Sequence, residues 1–456
     1  MLLEAQSNKS MAEYGDFSPS QPIKELIPTV DYSRPIEELP LLLAQITRFQ
    51  QLQEGIAIGI ALSHPLCDGL AAIHFVNSWA KMTRGETLEA SELPFHDQKL
   101  LKPRRPLSSP RFDHAEMKPL PLILGSTNTI EEQKKKKTFF QLKLTAEQVQ
   151  KLKKDANNDN NGFQSGEPYS RFEAIGAHLW RSACKARELS KDQPTVFQTV
   201  VDIRRKLNPP LPQNYFGNAL AFTISPMCCV GDIVSKPLSY AAKNIREAVE
   251  RINDEYIRSQ IDFFACEKRM DRIRTPFLEK GEYREDALFY GNPNFGVTSW
   301  MSMTVYEADF GWGRLVHFGQ GALFPFDRGL LALSPDMDGS ILVFMHFQEA
   351  HMQNFIKIWV DVTVLGEEPL VDAEFITHLR THHRLCTSEE DEPKYELITP
   401  GPEDWIWPGR MLRNLTREFR RLRRSLGPGP VVPGQSSLLF FLLLLLRTWG
   451  LPLSPL

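Results

Sequence analysis

The stretch Gly55-Ile56-Ala57-Ile58-Gly59-Ile60-Ala61-Leu62-Ser63-His64-Pro65-Leu66-Cys67-Asp68-Gly69 carries an apolar run straight into a histidine. A run of this kind predicts a strand covered on both faces. Gly69 then opens a helix, because Leu70, Ile73, Val76 and Met82 recur at helical spacing over 70–84. A histidine held at such a junction can face a cleft, and an imidazole changes charge near neutral pH. His64 is therefore the candidate general base. His-x-x-x-Asp by itself also describes a solvated turn histidine.

Four later motifs accompany it in order. They are Ser170-Arg171-Phe172-Glu173-Ala174, Asp202-Ile203-Arg204 with Pro209-Pro210-Leu211-Pro212, Tyr215-Phe216-Gly217-Asn218, and Asp309-Phe310-Gly311-Trp312-Gly313. The two glycines around Trp312 let the backbone turn sharply. Together the motifs resemble the BAHD family of plant acyl-CoA-dependent acyltransferases, from about Leu26 to about Val364. The resemblance implies an α/β fold of two domains, a chloramphenicol acetyltransferase-like sandwich of mixed β-sheets flanked by helices. It also implies an active-site channel at the domain interface. The thioester of coenzyme A enters as a co-substrate, with no resident cofactor.

Composition agrees with an ordinary globular enzyme. The 456 residues suffice for two sizeable cores, and a net charge of −3 offers no nucleic-acid footprint. Six cysteines are scattered, without zinc-type Cys or His spacing, which points to a reducing, cytoplasmic setting and no metal. The N-terminus has no secretory signal pattern. A monomer is expected.

Residues 1–92 read as a partial N-terminal domain holding the histidine motif, with strands over 45–50 and 55–62. Residues 93–137 are proline-rich and read as a crossover linker. Residues 138–365 read as the C-terminal domain, beginning with a strand over 139–144 and a capped helix over 146–157. Ser170 caps a helix to Ala186, a single long helix is expected over 237–262, and 330–333 with 340–348 predict a hairpin. The strand over 295–304 is a candidate to join the N-terminal sheet.

Acyl transfer from a thioester needs a base, a donor for the tetrahedral oxyanion, and a channel that excludes water. His64 supplies the base. No enzyme nucleophile is required, so Cys67 is assigned to packing. The resemblance implies that Asp68 turns away from the histidine and pairs with Arg204, so Asp68, Gly69 and Arg204 belong to the architecture. It implies that Trp312 lies in the active-site region, where its indole N–H can serve the intermediate, and that Asp309, Gly311 and Gly313 shape the turn. Ser170, Lys206 and Arg314 are candidates for the coenzyme A phosphates.

Relatives that use shikimate or quinate carry Trp-Ala-Arg-Leu-Pro before the acidic turn, their arginine clamping the acceptor's carboxylate. Here Trp300-Met301-Ser302-Met303-Thr304 stands instead, and Ser302 cannot make that bidentate bond. Segments such as Val297-Thr298-Ser299-Trp300 resemble spermidine hydroxycinnamoyltransferases. The leading expectation is transfer of a hydroxycinnamoyl group from coenzyme A to spermidine, a polyamine, with Ser302, Glu307, Asp262 and Glu267 as candidate acceptor contacts. The alternatives are an alcohol acceptor (shikimate, quinate or a fatty alcohol) and a truncated, inactive homologue.

Two departures from the family stand out. The histidine motif falls early, at position 64, so part of a family-like first domain is expected to be missing. Beyond about Leu365 the chain continues with an acidic stretch, a basic stretch around Arg420-Arg421-Leu422-Arg423-Arg424, and the apolar run Leu438–Leu446. That run is too short to span a membrane. Residues 366–456 are expected to form an atypical, disordered tail with no share in the core.

Overall fold

A computed structural model describes residues 1–15, 17, 21–31, 38–49, 55–103, 105–158, 167–268, 288–313, 315–321, 326–363 and 439–446. The first half contributes β1 (Leu2–Ser7), α1 (Gln21–Lys24), β2 (Leu42–Phe49), β3 (Ile56–Ser63) and α2 (Gly69–Thr83). After the crossover come α3 (Ile130–Lys134), β4 (Lys137–Leu144), α4 (Ala146–Asn157) and α5 (Arg171–Arg187). Next are β5 (Pro194–Thr195), β6 (Phe197–Asp202), β7 (Leu220–Ile224), β8 (Cys228–Cys229) and α6 (Val230–Ser235). Then α7 (Leu238–Glu250), α8 (Asp254–Cys266) and β9 (Phe295–Ser299) lead to β10 (Leu315–Gln320), β11 (Arg328–Leu333) and β12 (Ile341–Gln348). Last are α9 (Glu349–Thr363) and β13 (Leu439–Leu446).

Two mixed sheets result. The first has the order β1-β2-β3-β13-β10, the second β4-β12-β11-β9-β6-β7. Every residue of β3 is buried, as its unbroken apolar run requires. Helix α2 covers the first sheet, with Ile73, Val76 and Trp79 in the same core as Ile58, Ile60 and Leu62. Helix α5 starts on a complete capping box, in which Ser170 Oγ accepts from Glu173 N at 3.3 Å and Glu173 Oε2 accepts from Ser170 N at 2.6 Å. It is buried along most of its length against α4, α7 and α9. No helix among the described residues is long and apolar enough to cross a membrane.

Tertiary pairing differs from the sequence reading in three places. Residues 237–262 form two helices rather than one, because Asn253 leaves the helical conformation and its Oδ1 accepts from Tyr256 N at 3.0 Å, capping a new helix. Strand β9 lies in the second sheet, parallel to both β11 and β6; the strand that crosses to the first sheet is β10.

The third difference concerns the tail. Leu439–Leu446 is an interior strand, antiparallel to β3 from Ser63 to Ile56 and to β10 from Gln320 to Leu315. This part of 366–456 therefore belongs to the sheet, because both neighbouring strands present unpaired backbone groups that it satisfies. Residues 366–438 and 447–456 lie outside the described residues. Removing 439–446 is expected to lower the melting temperature and raise aggregation, measured by thermal melting and soluble yield. A truncated chain that melts like the full one and stays monomeric would mean that β13 adds nothing to the sheet.

Candidate active site

The turn after β3 is fixed at both ends. Leu66 N donates to Ser63 O at 3.0 Å, and Asp68 caps α2 by accepting from Ala71 N at 3.0 Å. The Asp68 carboxylate also meets Arg204, with Oδ2 at 2.9 Å from Nη1 and Oδ1 at 3.0 Å from Nη2. Its Oδ2 accepts from Ala219 N at 2.9 Å as well. With these partners, and with both side chains under 5 % exposed (4 % and 1 %), the carboxylate is committed to the chain crossing and not to the imidazole.

Arg204 also donates to the carbonyls of Tyr215 and Gly217. The Tyr215–Asn218 segment is thereby held below the histidine turn, where Asn218 Nδ2 donates to His64 O at 2.7 Å. Gly69 is required by close approach. A Cβ there would lie 3.1 Å from Met303 Cε and 3.2 Å from the Trp300 ring.

His64 lies deep in the protein yet keeps part of its surface accessible. Desolvation pushes its pKa below the usual imidazole value, and the nearby Arg328 charge acts in the same direction. A hydrogen bond to its own backbone, the Asp68 charge and a hydrogen bond with Asn218 offset part of that shift. The ring is therefore neutral, and so basic, at neutral pH. Cys67 is fully buried and burial raises its thiol pKa strongly, so it holds a proton and packs.

Arg328, at the head of β11, was not singled out from sequence. It likewise is deep but partly accessible, and desolvation lowers its pKa to about 10. Its Nη2 donates to Thr298 Oγ1 of β9 at 2.6 Å. Beside it in the sheet is His346, fully buried and bonded through Nε2 to Gln320 Oε1 at 2.7 Å. Burial and the Arg328 charge lower the His346 pKa to about 3. The one sequence signal was a lone charge heading an otherwise apolar strand.

The tryptophan turn sits elsewhere. The Arg84 guanidinium, at the C-terminal cap of α2, donates to Asp309 O, and Gly311 N donates to Asp309 Oδ1 at 2.7 Å. Gly311 has φ +85°, which favours glycine. Phe310 meets Trp79 edge-on at 5.0 Å, and Trp312 stacks on Phe310 at 5.9 Å. His64 lies by the opposite end of α2, whose 15 residues span about 22 Å. The Trp312 ring packs on Phe310 towards the C-terminal end of α2, whereas the His64 turn precedes its N-terminal end. Trp312→Ala is expected to lower the melting temperature and leave kcat of the folded enzyme nearly unchanged. A loss of about a hundredfold or more in kcat at normal stability would return Trp312 to the reaction centre.

The remaining candidates separate. Ser302 is exposed on the turn between Trp300 and Thr304, and Glu307 is exposed on the 3-10 turn Val305–Glu307, between the Asn77–Thr304 and Arg84–Asp309 contacts along α2. Glu307 is thus displaced from the histidine towards the far end of α2. Ser170 is engaged as a helix cap, and Lys206 Nζ reaches Val249 O at 3.5 Å. Asp262 is buried and accepts from Ser108 Oγ at 3.1 Å, and Glu267 is the C-cap of α8. The Ser108 bond ties Asp262 to the crossover segment. Arg314 lies outside the described residues.

Comparison with known proteins agrees with this geometry. A family model described as "Transferase family" matches residues 2–360. The chain is 38 % identical to the hydroxycinnamoyl-CoA:piscidic acid hydroxycinnamoyltransferase of Actaea racemosa, covering 79 % of each chain. It is 36 % identical to the shikimate O-hydroxycinnamoyltransferase of Nicotiana tabacum, again covering 79 % of each. Among solved structures it is similar to vinorine synthase, with a TM-score of 0.54, 19 % identity, and 77 % of this chain and 74 % of that one covered; that likeness concerns the fold. With a matching fold, a neutral histidine at the strand–helix junction and relatives of this identity, the chain belongs to the Transferase family as a BAHD-type acyl-CoA-dependent acyltransferase of the plant hydroxycinnamoyltransferase group.

Proposed function

We propose that the protein transfers a hydroxycinnamoyl group from coenzyme A to a hydroxyl of a small organic acid. The neutral, partly accessible His64 at the strand–helix junction carries this reading. It takes the acceptor's hydroxyl proton as the oxygen adds to the thioester carbonyl. The tetrahedral intermediate then collapses, the C–S bond breaks, and the proton passes to the departing thiolate, giving an ester and free coenzyme A. No acyl-enzyme forms, because the thioester is already activated.

One observation favours an acid over spermidine. The relatives named above act, by their names, on piscidic acid and shikimate. The protein incubated with p-coumaroyl-CoA and a panel of shikimate, quinate and spermidine, read by mass spectrometry, is expected to give esters of the acids. Formation of the spermidine amide alone would overturn the reading.

A further inference from the structure

We propose that Asn218 is a positioning residue for the general base, its side-chain amide holding the backbone carbonyl of His64 and so fixing the direction in which the imidazole meets the acceptor. The inference rests on His64 acting as base, as proposed above, and names what orients it.

Asn218 Nδ2 donates to His64 O at 2.7 Å, across 154 positions of the chain. A carboxamide that faces a carbonyl must present its NH2 group, so the partner fixes which way the Asn218 side chain is turned. The imidazole in turn bonds to its own backbone and to the Asn218 side chain. Asn218 therefore touches the histidine at the main chain and at the ring. With one ring nitrogen held in this way, the other is left to take the proton. Asn218 is exposed and His64 partly so, whereas Gly217 and Ala219 on either side of the amide are buried.

The mount is fixed on both sides of Asn218. Gly217 O accepts from Asp68 N at 3.3 Å and from Arg204 Nη2 at 3.4 Å. Ala219 N donates to Asp68 Oδ2 at 2.9 Å, and Ala219 O accepts from Ile203 N at 3.0 Å. Phe216 N donates to Phe95 O at 2.9 Å, tying the same segment to the crossover. The buried Asp68–Arg204 pair thus holds the backbone of 216–219, and the Asn218 side chain passes that constraint to His64. A general base acts only within hydrogen-bond reach of the proton it takes, and a misplacement of about 1 Å can cost about a hundredfold in rate.

The test compares wild type, His64→Ala, Asn218→Ala and Asn218→Asp with p-coumaroyl-CoA and shikimate, quinate and spermidine. The readouts are kcat, KM, the pH profile of kcat/KM and thermal melting. Asn218→Asp keeps the shape, but a carboxylate cannot donate to the carbonyl. Both Asn218 variants are expected to lose roughly tenfold to a hundredfold in kcat, with KM for the thioester within about twofold of wild type and melting nearly unchanged.

The acid limb should move in opposite directions. The Asn218 bond raises the His64 pKa, so Asn218→Ala should shift the limb to lower pH. Asn218→Asp should shift it to higher pH, because its carboxylate favours the imidazolium. Asp68 and Arg328, whose charges also bear on the ring, are the same in all four proteins. A residue that only braces the fold would not give opposed shifts. If kcat of both Asn218 variants stays within about twofold of wild type while His64→Ala is impaired, the positioning role is overturned and the base stands. Losses that follow the melting temperature, or acid limbs that stay in place or move together, also overturn it. If His64→Ala is as active as wild type, or wild type acylates none of the three acceptors, the functional reading and this role fall together. Use of spermidine alone overturns the acid-acceptor reading, and the same variants then decide the role with spermidine as acceptor.

Discussion

Replacing His64 with alanine is expected to lower turnover by about 10²–10⁴-fold, the usual share of a positioned general base. The melting temperature should hold, because the turn is built by Asp68, Arg204, Gly69 and Asn218 rather than by the imidazole. Mass-spectrometric rates with p-coumaroyl-CoA, beside thermal melting, separate the two effects. The pH profile gives a second readout. Desolvation lowers the folded pKa of His64, so the basic form persists below the ordinary imidazole range. Activity should be full at neutral pH and decline as pH falls through that lowered pKa, placing the acid limb of kcat/KM below about 6.5. An unchanged rate in His64→Ala, or an acid limb above neutrality, would remove the histidine from the mechanism.

Asp68→Ala is expected to have the largest effect on stability. It strips a cap from α2 and leaves Arg204 buried with fewer charge partners. Breaking a buried pair from one side costs about 3–5 kcal/mol. Asp202, whose Oδ1 lies 3.0 Å from Arg204 Nη1 but which is 46 % exposed, retains part of the compensation and moves the outcome towards the lower end. Activity should fall with stability, since the segment carrying Asn218 loses its anchor beneath His64. Melting curves and specific activity of the folded fraction decide between roles. A variant that melts normally and loses only turnover would place Asp68 in direct support of the imidazole.

Much of the local structure was legible in the sequence because it follows from periodicity and capping chemistry. The apolar run over 55–62 became β3, and the helical repeat after Gly69 became α2 within one residue at each end. Thr145 and Ser170 cap α4 and α5 through complete capping boxes. The long helix over 237–262 was misread because apolar spacing continues past Asn253 although the backbone does not.

His64 and the strand that delivers it were set by sequence alone, since a strand stop, a helix start and an imidazole are all local properties. Tertiary structure decided the rest, because long-range pairing leaves no periodic trace. Arg204 meets Asp68 across 136 positions, β13 enters between β3 and β10 from the far end of the chain, and Trp312 comes to rest at the opposite end of α2 from the base.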